Sequence, residues 1–314
     1  MNTSSPAISK SHSFSSQFGW TRHSTILLSG FLLTITLIIY IWWPLAEEVL
    51  RYVDWNGPWW RYIDWLLIGI FFFMSLVIMV RADLRVDALI LFVGTCGGLV
   101  IESWGTQTNL WFYYTSERPP IWIIPAWSIA SLCIDRLTQL LKYITTRCSS
   151  KKTGEFFFTP LVNFKILYWI MFGSFFILML SFVAPTFDHS FTQAALLLCT
   201  LFILTPTNQR TACLTFIAGS GLGYYLELWG TTRQCWTYHT YQTPPLFAVL
   251  AHGMAAVAFW RTGLLLRSLL PKYQEARKIL NQNPGSRLPL SILIKVLDQI
   301  KEEMILAIEG SKRH

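Results

Sequence analysis

The sequence predicts an all-α polytopic membrane protein of about eight transmembrane helices, arranged as two parallel four-helix repeats. Three observations predict it. The 314 residues are 53% hydrophobic and 16% aromatic but only 13% charged, against roughly 25% charged in soluble domains. Several apolar runs approach the roughly 20 residues that cross a bilayer as helix. Finally, the segment from Arg85 to Arg136 recurs from Arg210 to Arg261 without a gap, 125 residues later. The 16 matched identities across its 52 positions favour Gly, Glu, Trp, Tyr and Pro over generic Leu and Val. A fixed-offset repeat of such residues marks a duplicated structural unit.

Taken in order, residues 1–20 form a Ser-rich polar tail, read as disordered and cytoplasmic. Apolar spans follow at 24–46, 64–81, 86–103 and 120–142, completing a first four-helix repeat over 21–144. A Lys-rich linker, 145–160, leads to a second repeat over 161–270, with spans at 162–184, 188–206, 211–229 and 245–267. Run length favours helices, because membrane strands would alternate in polarity. Four spans per copy is an even number, so both copies enter the membrane with the same orientation. This is the parallel kind of repeat, related by an axis along the membrane normal. The remaining tail, 271–314, carries Leu293, Val296, Leu297, Ile300, Met304 and Ile308 at helical spacing. That pattern reads as an amphipathic helix on the membrane or the protein surface, or as a docking helix for a membrane-protein partner.

The net charge of +8 is distributed as a membrane protein requires. With both termini cytoplasmic, all 25 Lys and Arg lie on inner segments except Arg51, Arg61, Arg118 and Arg233. This is the positive-inside pattern, and it places the chain in the cell membrane as a multi-pass protein. No basic stripe interleaved with aromatics is present, so nucleic acid is not an expected partner. The six cysteines form no C-x-x-C pair, and no metal or cofactor motif is found, so neither is expected.

The repeated residues define the candidate site. Gly94, Gly98 and Glu102, and again Gly219, Gly223 and Glu227, are spaced i, i+4, i+8 along one helix face. A G-x-x-x-G face allows close helix approach, so each Glu points into the bundle. The partner is the opposite repeat across the pseudo-axis or a neighbouring span within each half. Arg85 to Glu102 is 17 residues, about 25 Å of helix, which sets Glu102 near the outer boundary. W-G-T follows each Glu, then a Trp, a Tyr and Pro-Pro. Gly105 and Gly230 suit a turn, Trp104, Trp111, Trp229 and Trp236 an interfacial belt, and the loop 104–119 folds over the bundle mouth. His252 stands where the first copy has Trp127, and His239 where it has Tyr114. An intramembrane His is a functional candidate. Arg136 and Arg261 read as snorkelling anchors.

The first copy, Glu102, Gly105, Thr106, Trp111, Tyr113, Tyr114, Thr115, Pro120, Pro125, Ala126 and Trp127, resembles the integral-membrane carotenoid hydratase family of bacteria. The second copy departs from it, with Leu250 and His252 in place of the last Pro and Trp. The resemblance implies hydration of an isoprenoid C=C bond, with a carboxylic acid as proton donor. Such an acid must stay protonated in an apolar pocket, and aromatic faces would stabilise a carbocation. Three readings stay open. One is an enzyme acting on a lipid or isoprenoid by acid–base chemistry, of hydratase, isomerase or cyclase type. In it Glu102 and Glu227 act as acid and base or as acid and orienter, His252 and His239 assist, and Trp104, Trp111, Tyr113, Trp229, Trp236 and Tyr238 bind substrate. The others are a lipid or small-molecule transporter and a membrane assembly scaffold. In the scaffold the Glu residues only accept structural hydrogen bonds.

Overall fold

A computed structural model describes residues 21–150, 163–205 and 207–282. It is all-α apart from one short ladder. The helices are α1 (Arg22–Leu50), α2 (Trp65–Met79), α3 (Leu84–Gln107), α4 (Ile124–Ser150), α5 (Phe164–Val183), α6 (Ser190–Leu204), α7 (Gln209–Thr232) and α8 (Leu246–Gln282). One helix falls on each of the eight predicted stretches. Five of them are long and apolar enough to cross a membrane, over Arg22–Leu50, Leu84–Gln107, Ile121–Arg147, Phe164–Thr186 and Leu246–Leu269. The 15-residue α2 and α6 extend only about 22 Å at 1.5 Å per residue. The tail 1–20, most of the linker and the amphipathic segment at 293–308 lie outside the described residues. The last helix runs past the expected boundary near Pro271 to Gln282, through a stretch rich in strong helix formers.

Polar side chains start the helices. Thr21 and Ser24 form a reciprocal capping box on α1. Asp64, Asp83, Asn163 and Asn208 each accept from a first-turn backbone N–H of α2, α3, α5 and α7. The bounds of α2, α3 and β1 (Trp111–Tyr113) recur 125 residues later as those of α6, α7 and β2 (Trp236–Tyr238).

The two strands pair antiparallel, with Trp111 opposite Tyr238, Phe112 opposite Thr237 and Tyr113 opposite Trp236. Each residue of one strand therefore faces the counterpart of its mirror position, and a local two-fold passes through the Phe112–Thr237 pair. The flanking bonds obey the same relation: Tyr114 N–H donates to the Cys235 carbonyl and His239 N–H to the Leu110 carbonyl. The loop expected at 104–119 is thus shorter than predicted. Helix α3 continues to Gln107, Asn109 turns the chain at a φ of 59°, and the rest joins the ladder.

Four helices form a central ring in which α3 packs on α4 and α8, and α7 packs on α8 and α4. The glycine faces meet the following helix of their own half. A Cβ on Gly94 would lie 3.0 Å from the Ser128 backbone, and one on Gly219 would lie 2.8 Å from the His252 carbonyl. Helices α3 and α7 stand diagonally across the ring. Arg136 departs from the snorkelling expectation. Its guanidinium is 10% exposed and donates to Asp87 at 2.6 Å and to Asp135 at 3.0 Å, because the 1%-exposed Asp87 needs a counter-charge inside the bundle. Arg261 instead closes the end of α6, donating to the Phe202 carbonyl and to Thr205 Oγ1.

Candidate functional site

The two Glu side chains are each 3% exposed and each accept three hydrogen bonds from the same directions. Glu102 Oε2 accepts from Trp111 Nε1 at 3.0 Å, and Oε1 from Tyr113 Oη at 3.0 Å and Trp127 Nε1 at 2.9 Å. Glu227 Oε2 accepts from Trp236 Nε1 at 2.9 Å, Oε1 from Tyr238 Oη at 2.8 Å, and His252 Nε2 lies 2.9 Å from the same Oε1. Each carboxylate is reached from the strand after its own helix and from the next helix of the ring.

The repeated glycines explain this convergence. A Cβ at Gly105 would fall 1.9 Å from the Trp111 ring, and one at Gly230 would fall 2.0 Å from the Trp236 ring. These glycines sit inside α3 and α7, not in the turns expected of them. Their lack of a side chain lets an indole lie flat on the helix, with its N–H on the Glu three residues earlier. One turn before each Glu, Gly98 and Gly223 do the same for Trp127 and His252, where a Cβ would come within 2.5 Å. The Thr of W-G-T returns its hydroxyl to the Glu backbone, Thr106 to the Glu102 carbonyl and Thr231 to the Glu227 carbonyl. The motif G-x-x-x-E-x-W-G-T is therefore a carboxylate cradle made of two ring-shaped gaps.

Burial pushes the phenols of Tyr113 and Tyr238 well above their ordinary pKa, and the charge of Glu102 or Glu227 beside each adds to it. Both stay protonated and act as donors. At Glu102 all three partners are neutral donors, and two of them, the indoles, can only donate. That set fits an ionised carboxylate. At Glu227 one partner is an imidazole, which can gain or lose a proton. The rings of Trp127 and His252 stack on each other, with centroids 5.3 Å apart and an angle of 16°, so the two cradles touch at the one position where they differ in chemistry.

Both carboxylates and both of these rings line one cavity of about 860 Å³ in the central ring. Most of its wall is apolar, including Phe31, Ile38, Met74, Phe175, Met179 and Phe259. The wall also includes Phe92, Leu99 and Val100 of α3 and Phe191 and Leu198 of α6, which are exposed on the outer surface. The cavity therefore opens sideways between these two helices. Trp104, Trp111, Tyr113, Trp229, Trp236 and Tyr238 all contribute to the wall. Trp104 is tied to Thr192 at 3.2 Å, and Trp229 to Asp64 at 2.8 Å; Asp64 is also bridged by Arg233. Trp111 and Trp236 face their carboxylates rather than an interfacial belt. His239 joins neither the cavity nor Glu227, since its Nε2 lies 3.0 Å from the Phe182 carbonyl.

Two residues of the site were not among those the sequence assigned to it. Trp127 is a full member of the Glu102 cradle, and its position opposite His252 in the repeat was the available signal. Trp42 lines the cavity, is 8% exposed, and its indole N–H has no partner among the described residues. It lies in α1, outside the matched segment, so no pattern pointed to it. Among the described residues, no group of three His, Cys, Asp or Glu side chains is arranged to hold a metal. Comparison of the chain with family models, with curated proteins and with solved structures finds no match.

Proposed function

We propose that the protein is a multi-pass enzyme of the cell membrane that takes a lipid or isoprenoid from the bilayer into the central cavity and acts on it by acid–base chemistry. In this reading all eight helices sit in the membrane as two parallel four-helix repeats, with both termini cytoplasmic. The observation that carries the reading is the His252–Glu227 contact of 2.9 Å in the wall of a large apolar cavity. It is the one pair among the site's hydrogen bonds that can both hold and release a proton. Glu102 serves as a fixed anion that holds Trp111, Tyr113 and Trp127 in place.

For an alkene substrate, as the resemblance to carotenoid hydratases suggests, the imidazolium of His252 gives its proton to one alkene carbon. The π pair forms the new C–H bond and leaves a carbocation, which the surrounding aromatic faces and two carboxylates stabilise. Water adds to the cation, and the proton it loses returns to His252, so the net change is one water added across the double bond. The unpaired Trp42 N–H offers a donor to a polar end group of the substrate.

A carrier is the second reading. Val93 and Phe259 border both this cavity and a smaller one, so two cavities of the ring are separated by those side chains. The experiment is a comparison of total lipid and isoprenoid extracts from a deletion strain carrying wild type, Glu227→Gln or His252→Phe. An enzyme predicts a species that accumulates in the deletion and in both variants, with a mass difference that names the reaction. Matching extracts in all strains would sink the enzymatic reading and leave the carrier.

A further inference from the structure

A second cavity, of about 140 Å³, lies between α3, α4, α7 and α8, beyond Val93 and Phe259. It is built from counterparts 125 residues apart: Ser131 and Ala256, Ile134 and Phe259, Lys142 and Arg267 all line it. It therefore sits where equivalent faces of α4 and α8 meet. Unlike the first cavity, whose charged groups are the two Glu carboxylates, it has cations in its wall. Lys142 and Arg267 bring one cation from each helix, and among the described residues neither has a carboxylate within 4.0 Å. The acidic side chain in the wall, Asp135, is engaged by Arg136 at 3.0 Å and also attracts the Lys142 ammonium over a longer distance. Thr215 also lines the cavity, is 4% exposed, and its hydroxyl has no hydrogen-bond partner among the described residues.

Lys142 is half-buried and Arg267 exposed where they border this cavity, so each can turn its cation to a ligand held there, and a buried hydroxyl without a partner is destabilising. One ligand can engage all three groups. A tetrahedral oxyanion accepts from an ammonium, from a guanidinium in forked geometry and from a hydroxyl, and the volume holds such an anion with a few waters. We propose that this cavity binds a phosphate-type anion, presented either as the free ion or as the headgroup of an anionic phospholipid. The site is independent of the chemistry assigned to Glu227 and His252.

The test uses the full chain in phosphatidylcholine nanodiscs, titrated calorimetrically with inorganic phosphate against chloride. A parallel arm adds phosphatidylglycerol and counts retained lipid by native mass spectrometry. The double variant Lys142→Gln/Arg267→Gln is expected to weaken binding by about tenfold or more, from the loss of charge-assisted bonds. Thr215→Val, which removes the orphan hydroxyl without changing shape, is expected to weaken binding while the empty protein unfolds no more readily than wild type. Loss of phosphate binding in both variants assigns a soluble anion. Loss confined to phosphatidylglycerol assigns a headgroup. If wild type binds neither, or if the variants bind both as wild type does, the proposal is overturned.

Discussion

The two cradles accept the same number of hydrogen bonds, yet they should respond differently to the same substitution. Consider Glu102→Gln. The amide must place its NH2 at one of the two oxygen positions. At Oε2 it faces the Trp111 indole, and at Oε1 it faces the Trp127 indole as well as Tyr113. Indoles donate and never accept, so one buried donor is left unpaired in either orientation. That costs about 1–3 kcal/mol, in addition to the weakening of two charge-assisted bonds to neutral strength. Now consider Glu227→Gln. The oxygen takes the Trp236 N–H, and the NH2 faces Tyr238 Oη and His252 Nε2, both of which can accept when the imidazole carries its proton on Nδ1. No two obligate donors then face each other. Glu102→Gln should therefore destabilise the protein more than Glu227→Gln by about 2 kcal/mol. Unfolding of the purified protein in mixed micelles by increasing denaturing detergent reads the difference. A double-mutant cycle sharpens it: adding Trp127→His to Glu102→Gln supplies an acceptor, so the pair should be coupled favourably by about 1–2 kcal/mol. Equal losses for the two Gln variants, or zero coupling, would refute the assignment of donors and with it the ionised Glu102.

Three further predictions rest on other contacts. Gly105→Ala and Gly230→Ala each push a Cβ to about 2 Å from an indole, so each should displace that ring, cost about 1–3 kcal/mol or more and shift tryptophan fluorescence towards that of exposed indole; an unchanged spectrum would contradict the cradle. Asp87→Asn leaves the Arg136 guanidinium with only Asp135 in the bundle interior and should cost about 3–5 kcal/mol, read by the same detergent unfolding, while Asp135→Asn should cost less. Tyr113 and Tyr238 have folded-state pKa values raised by burial and by the adjacent carboxylates. The sign is that of a raised group, so their contribution is intact below the unfolded tyrosine value near 10 and is lost as pH rises from there through the folded values. Stability measured above pH 10 should fall less steeply in Tyr113→Phe/Tyr238→Phe than in wild type.

How much of this was legible in the sequence depends on the range of the interaction. The helices were legible because apolar runs are local: the helices that Asp83 and Asn208 cap have bounds within a few residues of those predicted from run length alone. Glu102 and Glu227 were legible as a place, since the 125-residue offset singles them out. What they do was not, because their partners come from rings 9, 11 and 25 residues further on. No periodicity joins those positions. Gly105 shows the limit clearly. A glycine after Trp suggests a turn, yet the residue is helical, and the reason for it is a ring folded back from Trp111. The β1–β2 ladder was hidden for the same reason, since it pairs each short strand with the other copy rather than with a neighbour in sequence. Trp42 was hidden more deeply still, because α1 has no matched counterpart to draw attention to it.

The difference between the copies follows from what a duplicated cradle can tolerate. Position 127 or 252 is the one donor to each Glu that comes from the following helix, and it is the place where both cradles meet across the ring. A change at the Trp or Tyr of either strand would leave its own carboxylate short of a donor and also disturb the ladder, where Trp111 faces Tyr238 and Tyr113 faces Trp236. A change from indole to imidazole at position 252 keeps an N–H on the carboxylate and a flat ring over Gly223. It adds only the ability to exchange a proton. The position freest to vary is thus the one where variation introduces chemistry while the architecture is kept. On this argument His252→Trp should give a second Glu102-like cradle, folded and of near-normal stability, in which Glu227 has three neutral donors and the proton transfer proposed for His252 is lost. A His252→Trp protein that keeps full activity would remove the imidazole from the mechanism. One that fails to fold would show that the Trp127 ring and a second indole cannot share the space where Trp127 and His252 now stack.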